Sequence, residues 1–378
     1  MFTTFDKYLL NRLVHTFAVF FIATYGLYMV IDLFANVDDF QRNSLGEDRN
    51  SIEIAIAIFR YYGIRVTEFF EMAGPILIVV SAIAVLGLLE KHSESHPILA
   101  AGIPAFRLLR PLLIGGGLLN VLLILNQEFV LPRLAVELQS RRGSDTTSVQ
   151  KVDPVYDYSN YLMHIDGKEV VIEERKLVEP GFQLPEELAV PTYSLEAESA
   201  IFIEKTERHP SGWLLQNLTG LFDAERLTEF GKTRVIPRPN DKDVFIVSDV
   251  SFDQLYNRGR NLKLLSSAQL IERIRNPSTG LVPVRSQSLA LHSRVTRPIL
   301  SLLSIAMALP LVMRRESRSL ILNMATCAGV LGVFYAITQA SLMLGGTPGA
   351  FMRADLAAWL PVIVTGTASV WTAGYVQT

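Results

Sequence analysis

The sequence predicts an α-helical membrane protein: six spanning helices, grouped three and three, around a β-rich insert. Six apolar runs occupy residues 13–35, 73–89, 111–131, 298–313, 320–344 and 356–376. Most are near the roughly 20 apolar residues a helix needs to cross a bilayer core. From about residue 141 to 291 the apolar runs give way to short β-type segments punctuated by prolines. Hydrophobic residues make up 49% and charged residues 19%, averages that conceal this segregation. The expected domains are residues 1–135 with helices one to three, 141–291 with the β insert, and 292–378 with helices four to six.

Residues 1–12 read as an amphipathic lead-in, with Phe2, Phe5, Tyr8 and Leu9 interleaved with Asp6, Lys7 and Arg12. The first run is too long for a secretory signal peptide and lacks a small-residue cleavage site, so it is expected to stay as a span. Asp32, close to its far end, reads as a hydrated interfacial acid rather than a proton site. A polar loop follows at residues 41–50, then an amphipathic helix at 51–70 that leads into the second span, with a bend expected at Gly74-Pro75. The second and fourth runs are short and must borrow flanking residues.

Between the second and third spans lies a segment, residues 90–110, that is charged at its start and amphipathic from Pro97 to Arg110. Pro97 suits the first turn of a helix, where its missing N–H is harmless. Gly102 suits the position just past the helix end, with Pro104 beyond it as a stop. A short helix of about residues 95–104, held at the water edge between two spans, is placed to receive force from a partner; a simple helical connection is the other reading.

The third span carries Gly115-Gly116-Gly117, which permits close approach of a neighbouring helix. It ends in Asn126-Gln127-Glu128, where Glu128 reads as a solvated terminal acid. In the insert, an Asp166-Gly167 pair between residues 161–165 and 168–172 predicts a β-hairpin with a type I′ turn. Further strands are expected at 200–204, 213–217 and 244–248, and a helix at 267–275, in an antiparallel sandwich or open, curled sheet.

Chemistry-bearing motifs are few. His92, Glu94 and His96 have an i, i+4 histidine spacing, but Pro97 ends any helix through them and no third ligand follows, so no metal is expected. Gly231-Lys232-Thr233 resembles the end of a phosphate-binding loop, yet Arg226 stands where that loop needs glycine. Asn217-Leu218-Thr219 matches a glycosylation sequon. No pair of intramembrane carboxylates is apparent, and the single cysteine, Cys327, allows no disulfide within the chain. A net charge of −2 gives no reason to expect a nucleic-acid partner. Basic residues flank the spans on both sides, so counting them does not orient the chain. The basic N-terminal tail and the Arg314-Arg315-Glu316-Ser317-Arg318 turn favour an inside N-terminus.

The ordered motifs resemble those of the LptF/LptG permease family, the membrane half of the ABC transporter that extracts lipopolysaccharide. They are Glu94 with Ala100-Ala101-Gly102-Ile103; Leu108-Leu109-Arg110-Pro111; Asn126, Glu128 and Pro132; Leu291-His292-Ser293-Arg294 with Pro298; and Ala357-Ala358-Trp359-Leu360-Pro361. The chain departs from the family pattern at Pro97, Leu99 and Val362, and has Asp32, Asp38 and Asp39 where lysines are frequent. The resemblance implies six transmembrane helices (3+3) with an inserted periplasmic β-jellyroll-like domain, in the bacterial inner membrane with both termini cytoplasmic. It implies a coupling helix that docks into a cytoplasmic ABC ATPase dimer, through Glu94, Ile98, Leu99, Gly102, Ile103 and Phe106. ATP and Mg would be bound by that partner, leaving this chain without a cofactor or a catalytic residue of its own. A second permease, as a paralogue or another copy, and LptC/LptA-like periplasmic jellyroll proteins are the other implied partners. Lipopolysaccharide would meet Arg133, Arg294 and Arg297 at the outer water boundary, with Tyr28, Phe34, Phe334 and Tyr335 toward its apolar part. The rival readings are a permease of this build for another lipid, a mechanotransmission subunit, and a membrane-bound enzyme relying on His164, His209 or Asp249.

Overall fold

Thr3 opens the first helix, α1 (Thr4–Ala35), with a reciprocal cap: its hydroxyl accepts from the Asp6 N–H at 3.2 Å while the Asp6 carboxylate accepts from the Thr3 N–H at 2.9 Å. A computed structural model of the chain describes residues 3–41, 50–94, 97, 100, 106–139, 149–172, 174–206, 209–239, 242–256, 262–275, 283–312, 319–347, 349 and 352–374. The expectations at 42–49 and at the Arg314–Arg318 turn lie outside them. The chain divides into two units, one of helices and one of β-structure; the first comprises Met1–Gly143, Leu264–Ser266 and Ser288–Thr378, the second Ser144–Lys263 and Ser267–Gln287.

The helical unit contains α1; α2 (Ser51–Lys91); α3 (Phe106–Leu125), continued by a π-helical turn at Asn126–Val130 and then α4 (Leu131–Gln139); α5 (Val284–Val312); α6 (Leu320–Gly346); and α7 (Ala354–Gly374). Six of these helical stretches, the third running from Arg107 to Gln139, are long and apolar enough to cross a membrane. The short second and fourth runs do borrow residues. The amphipathic segment at 51–70 and the second run form one 41-residue helix that continues through Gly74-Pro75, and α5 begins at Val284, well before its apolar run.

Leu9, Leu13 and Phe17 of α1, Ile78, Val85 and Leu89 of α2, Leu108 and Leu112 of α3, Ile305 and Leu309 of α5, and Cys327 of α6 share one buried cluster. Close approach depends on two of the three consecutive glycines. A Cβ on Gly115 would lie 2.7 Å from Leu13 Cδ2, and one on Gly116 would lie 2.5 Å from Ile305 Cδ1, whereas Gly117 faces open space. The Asn120 amide, buried nearby, donates to Ser301 Oγ at 3.2 Å and so ties α3 to α5.

Among its described residues the second unit holds a ten-stranded, antiparallel sheet: β1 (Val149–Lys151), β2 (Val155–Asp157), β3 (Met163–Asp166), β4 (Glu169–Val171), β5 (Lys176–Val178), β6 (Gly181–Leu184), β7 (Tyr193–Ile203), β8 (Gly212–Leu218), β9 (Val235–Pro237) and β10 (Val244–Val247). The order β1-β4-β5-β7-β6-β3-β2 is joined at β7 by β8, which leads to β10 and β9. The long strand β7 pairs with β6 through Tyr193–Glu196 and with β8 from Ala197 to Ile203, so its two halves serve two sheet segments. Val155, Ile165 and Phe182 from one segment share a core with Leu177, Trp213 and Ile246 from the other. Trp213 is fully buried, and its indole N–H donates to the Val250 carbonyl at 3.0 Å.

The expected hairpin is corrected. β3 pairs with β2 and β6, and β4 with β1 and β5; the two strands flanking Asp166-Gly167 do not pair with each other. Gly167 lacks the positive φ of a type I′ turn. A Cβ there would meet Leu177 Cδ1 at 2.6 Å, so this glycine serves the approach of β5 as the chain crosses between sheet segments. The helix expected at 267–275 is present as Ser267–Arg275. Gly231-Lys232-Thr233 lies in a short helix, Glu229–Arg234, whose cap is the Thr228 hydroxyl.

Candidate functional site: a charge network in the helix bundle

The π turn is the local irregularity from which the site is built. Such turns are rare and concentrate at functional positions. Asn126, Gln127 and Glu128 occupy it, and the first two are buried. The Asn126 amide donates to the Thr67 carbonyl of α2 at 3.0 Å. With the Gln127 amide turned so that its nitrogen faces the acid and its oxygen the guanidinium, it bridges two charges: Nε2 donates to Glu71 Oε1 at 2.9 Å and Oε1 accepts from Arg294 Nε at 3.2 Å. Glu128 pairs with Arg294 at 3.3 Å, and Glu71 pairs with Arg297 at 3.3 Å. Arg294 also donates to the Leu265 carbonyl.

The network therefore contains two carboxylates, two guanidiniums and two amides from α2, the π turn and α5. The Arg294 side chain is 7% exposed and that of Glu71 8%, against 36% for Arg297. Ionised groups so deep in an apolar bundle persist only when paired, and removing one partner of such a pair costs about 3–5 kcal/mol. One sequence expectation is corrected here: Glu128 is not a simply solvated terminal acid, because Arg294 engages it at 3.3 Å.

At the other end of α3, some 20 residues and about 30 Å of helix away, a second group meets. Arg12 Nη1 reaches Glu94 Oε2 at 3.1 Å and the Tyr8 hydroxyl at 2.6 Å, and Tyr8 donates to Glu94 Oε2 at 3.1 Å. Glu94 thus binds back onto α1. Ile98, Leu99, Gly102 and Ile103 lie outside the described residues, as does His96; within the segment Pro97 and Ala100 are helical, and Phe106 begins α3.

The remaining nominated residues are dispersed. Arg133 is exposed on α4. Tyr28 is half-buried and stacks on Phe69 of α2 at 5.5 Å, in a series that includes Tyr25 and Phe21. Phe34 is exposed, Phe334 half-buried and Tyr335 exposed, the last two on α6. Asp32 is engaged, accepting from the Tyr62 hydroxyl at 2.8 Å. Sequence reasoning missed Glu71, Gln127, Tyr8 and Arg12. The signal for Glu71 was available: an acid directly before an apolar run becomes part of the span once the helix extends backward.

An antiparallel β domain inserted into six apolar helices, with ion pairs inside the helical unit, defines a multi-pass membrane protein in which charge is carried within the spans. The chain belongs to the lipopolysaccharide export system permease LptF/LptG family, whose model matches residues 7–375. No curated protein matches it. It is accordingly a multi-pass inner-membrane permease of lipopolysaccharide export, and members of the family are permease components rather than enzymes.

Proposed function

We propose that this chain is one permease subunit of an ABC transporter that extracts lipopolysaccharide from the inner membrane, driven by a separate ATPase dimer that binds ATP and Mg. The observation that carries this reading is how little of two spans the chain itself covers. In the most apolar window of α1 only 6% is buried, and in that of α6 11%, against 56% for α2. Helices left open in this way suit a second permease subunit and an apolar cargo between them.

In this reading both termini and the Glu94 segment are cytoplasmic, and the β domain is periplasmic. Glu94 takes the ATPase contact, with Ile98, Leu99, Gly102, Ile103 and Phe106 seated in its groove. Arg133 and the partly exposed Arg297 meet lipid phosphates, while Arg294 keeps its internal pairs; Tyr28, Phe34, Phe334 and Tyr335 meet the acyl region. The β domain hands the lipid to LptC/LptA-like jellyroll proteins by strand addition at an open edge.

Native mass spectrometry of the complex purified from its own membrane tests the reading. The expected result is an ATPase dimer, two permease chains and bound lipopolysaccharide. A complex without an ATPase, or one carrying only another lipid, would overturn it.

A further inference from the structure

We propose, on the reading above in which Glu94 meets the ATPase, that Arg12 and Tyr8 hold the Glu94 carboxylate in the ATPase's place, so that docking and release of the first turns of α1 are linked. The main chain of Glu94 belongs to the end of α2. His92 caps that helix, and Ser93 turns into the left-handed region with a φ of 55°. The Ser93 N–H donates to the Glu90 carbonyl at 3.0 Å and the Glu94 N–H to the Leu89 carbonyl at 2.9 Å. These two reversed bonds form a Schellman motif, and Leu89 beneath it is fully buried. Glu94 is therefore fixed to α2 through its backbone.

Its side chain is held by a different helix. Tyr8 and Arg12 stand four residues apart on α1 and so share a face. Arg12 Nη1 reaches Glu94 Oε1 at 3.2 Å and Oε2 at 3.1 Å, the Tyr8 hydroxyl donates to Oε2 at 3.1 Å, and Nη1 also donates to the Tyr8 oxygen at 2.6 Å. One guanidinium nitrogen spanning both oxygens is a looser grip than the two parallel bonds of a bidentate fork. The Arg12 side chain is 17% exposed and that of Glu94 34%, so the pair is within reach of solvent and weak enough to exchange. A cationic group of the ATPase that takes the carboxylate leaves the backbone hold on α2 intact and removes the side-chain hold on α1. That helix runs unbroken from Thr4 to Ala35, with Leu9, Leu13 and Phe17 as its buried apolar residues. Losing the grip at Arg12 therefore frees one end of a continuous rod. Such linkage is reciprocal: whatever strengthens the hold of α1 on Glu94 weakens docking by the same factor.

Titration of the ATPase onto the full permease complex in lipid nanodiscs tests this. Arg12→Gln removes the competitor and should tighten binding by about fivefold. Tyr8→Phe should tighten it less, and Arg12→Lys, which keeps the charge, should bind as the wild type does. Unchanged or weaker binding by Arg12→Gln would overturn the proposal. Amide exchange gives the second measure. In the wild type, saturating ATPase should raise exchange across residues 7–14 by about fivefold, whereas Arg12→Gln should show the raised exchange without ATPase. Retained protection across α3 establishes that the variant is folded. Exchange at 7–14 that ignores the ATPase in the wild type would also overturn the linkage. Glu94→Gln separates the two readings: normal ATPase binding by this variant would reject the docking assignment itself. Weak binding by Glu94→Gln beside unchanged binding by Arg12→Gln would reject the linkage alone.

Discussion

Arg12 and Glu94, 82 residues apart in the chain, meet at 3.1 Å and bind the third turn of α1 to the third residue beyond α2. The carboxylate proposed to meet the ATPase is therefore already engaged by the helix proposed to border the lipid. In the proposed complex, a motor residue that took hold of Glu94 would compete with Arg12, and α1 would respond to docking directly.

Glu94→Lys should release or uncouple the ATPase while leaving the membrane unit folded, since the pair is partly exposed and worth only about 0–1 kcal/mol to stability. Co-purification of the ATPase together with thermal unfolding of the permease checks both halves. Normal co-purification and transport would count against the assignment.

The two ion pairs of the bundle should differ in weight. Glu128→Ala strands Arg294, whose side chain is 7% exposed, and should cost about 3–5 kcal/mol. Glu71→Ala leaves Arg297, 36% exposed, able to reach solvent, and should cost less. Unfolding titrations of the two variants in one detergent give the order directly.

The three consecutive glycines should separate sharply. Gly116→Ala places a methyl 2.5 Å from Ile305 Cδ1 and should destabilise by about 1–3 kcal/mol, while Gly117→Ala meets nothing and should be neutral or slightly stabilising. Thermal unfolding of the pair is sufficient; equal effects would show that α3 and α5 are not in contact at this level.

In the β unit, Trp213→Ala removes the largest fully buried side chain along with its hydrogen bond, at about 3–5 kcal/mol. Trp213→Phe keeps most of the volume and should lose much less. Amide exchange across β8 and β10 in the full chain measures the difference.

Much of this architecture was legible because its signals are local. Apolar run length gave the six spans, and the helix at Ser267–Arg275 follows from its own short amphipathic pattern. The misread features are those decided by distant residues. Asp166-Gly167 has the composition of a hairpin turn, but Leu177 packs on that glycine and the chain crosses to another sheet segment instead. Glu128 read as solvated because its partner is 166 residues away. Gln127 carries no signal of its own: its bridging role depends on a π turn, which the 3.6-residue period of ordinary helices does not reveal. Resemblance to a family located Glu128 and Arg294 as motif residues without indicating that they touch.

The 41 residues of α2 make a rod of about 60 Å, twice the roughly 30 Å thickness of hydrocarbon it has to cross. About half of it must stand clear of the lipid tails. A rod of that length pivoting in the bilayer works as an oar: a tilt of about 10° sweeps a 30 Å overhang through roughly 5 Å, so small angular strokes inside the lipid become large excursions at the blade.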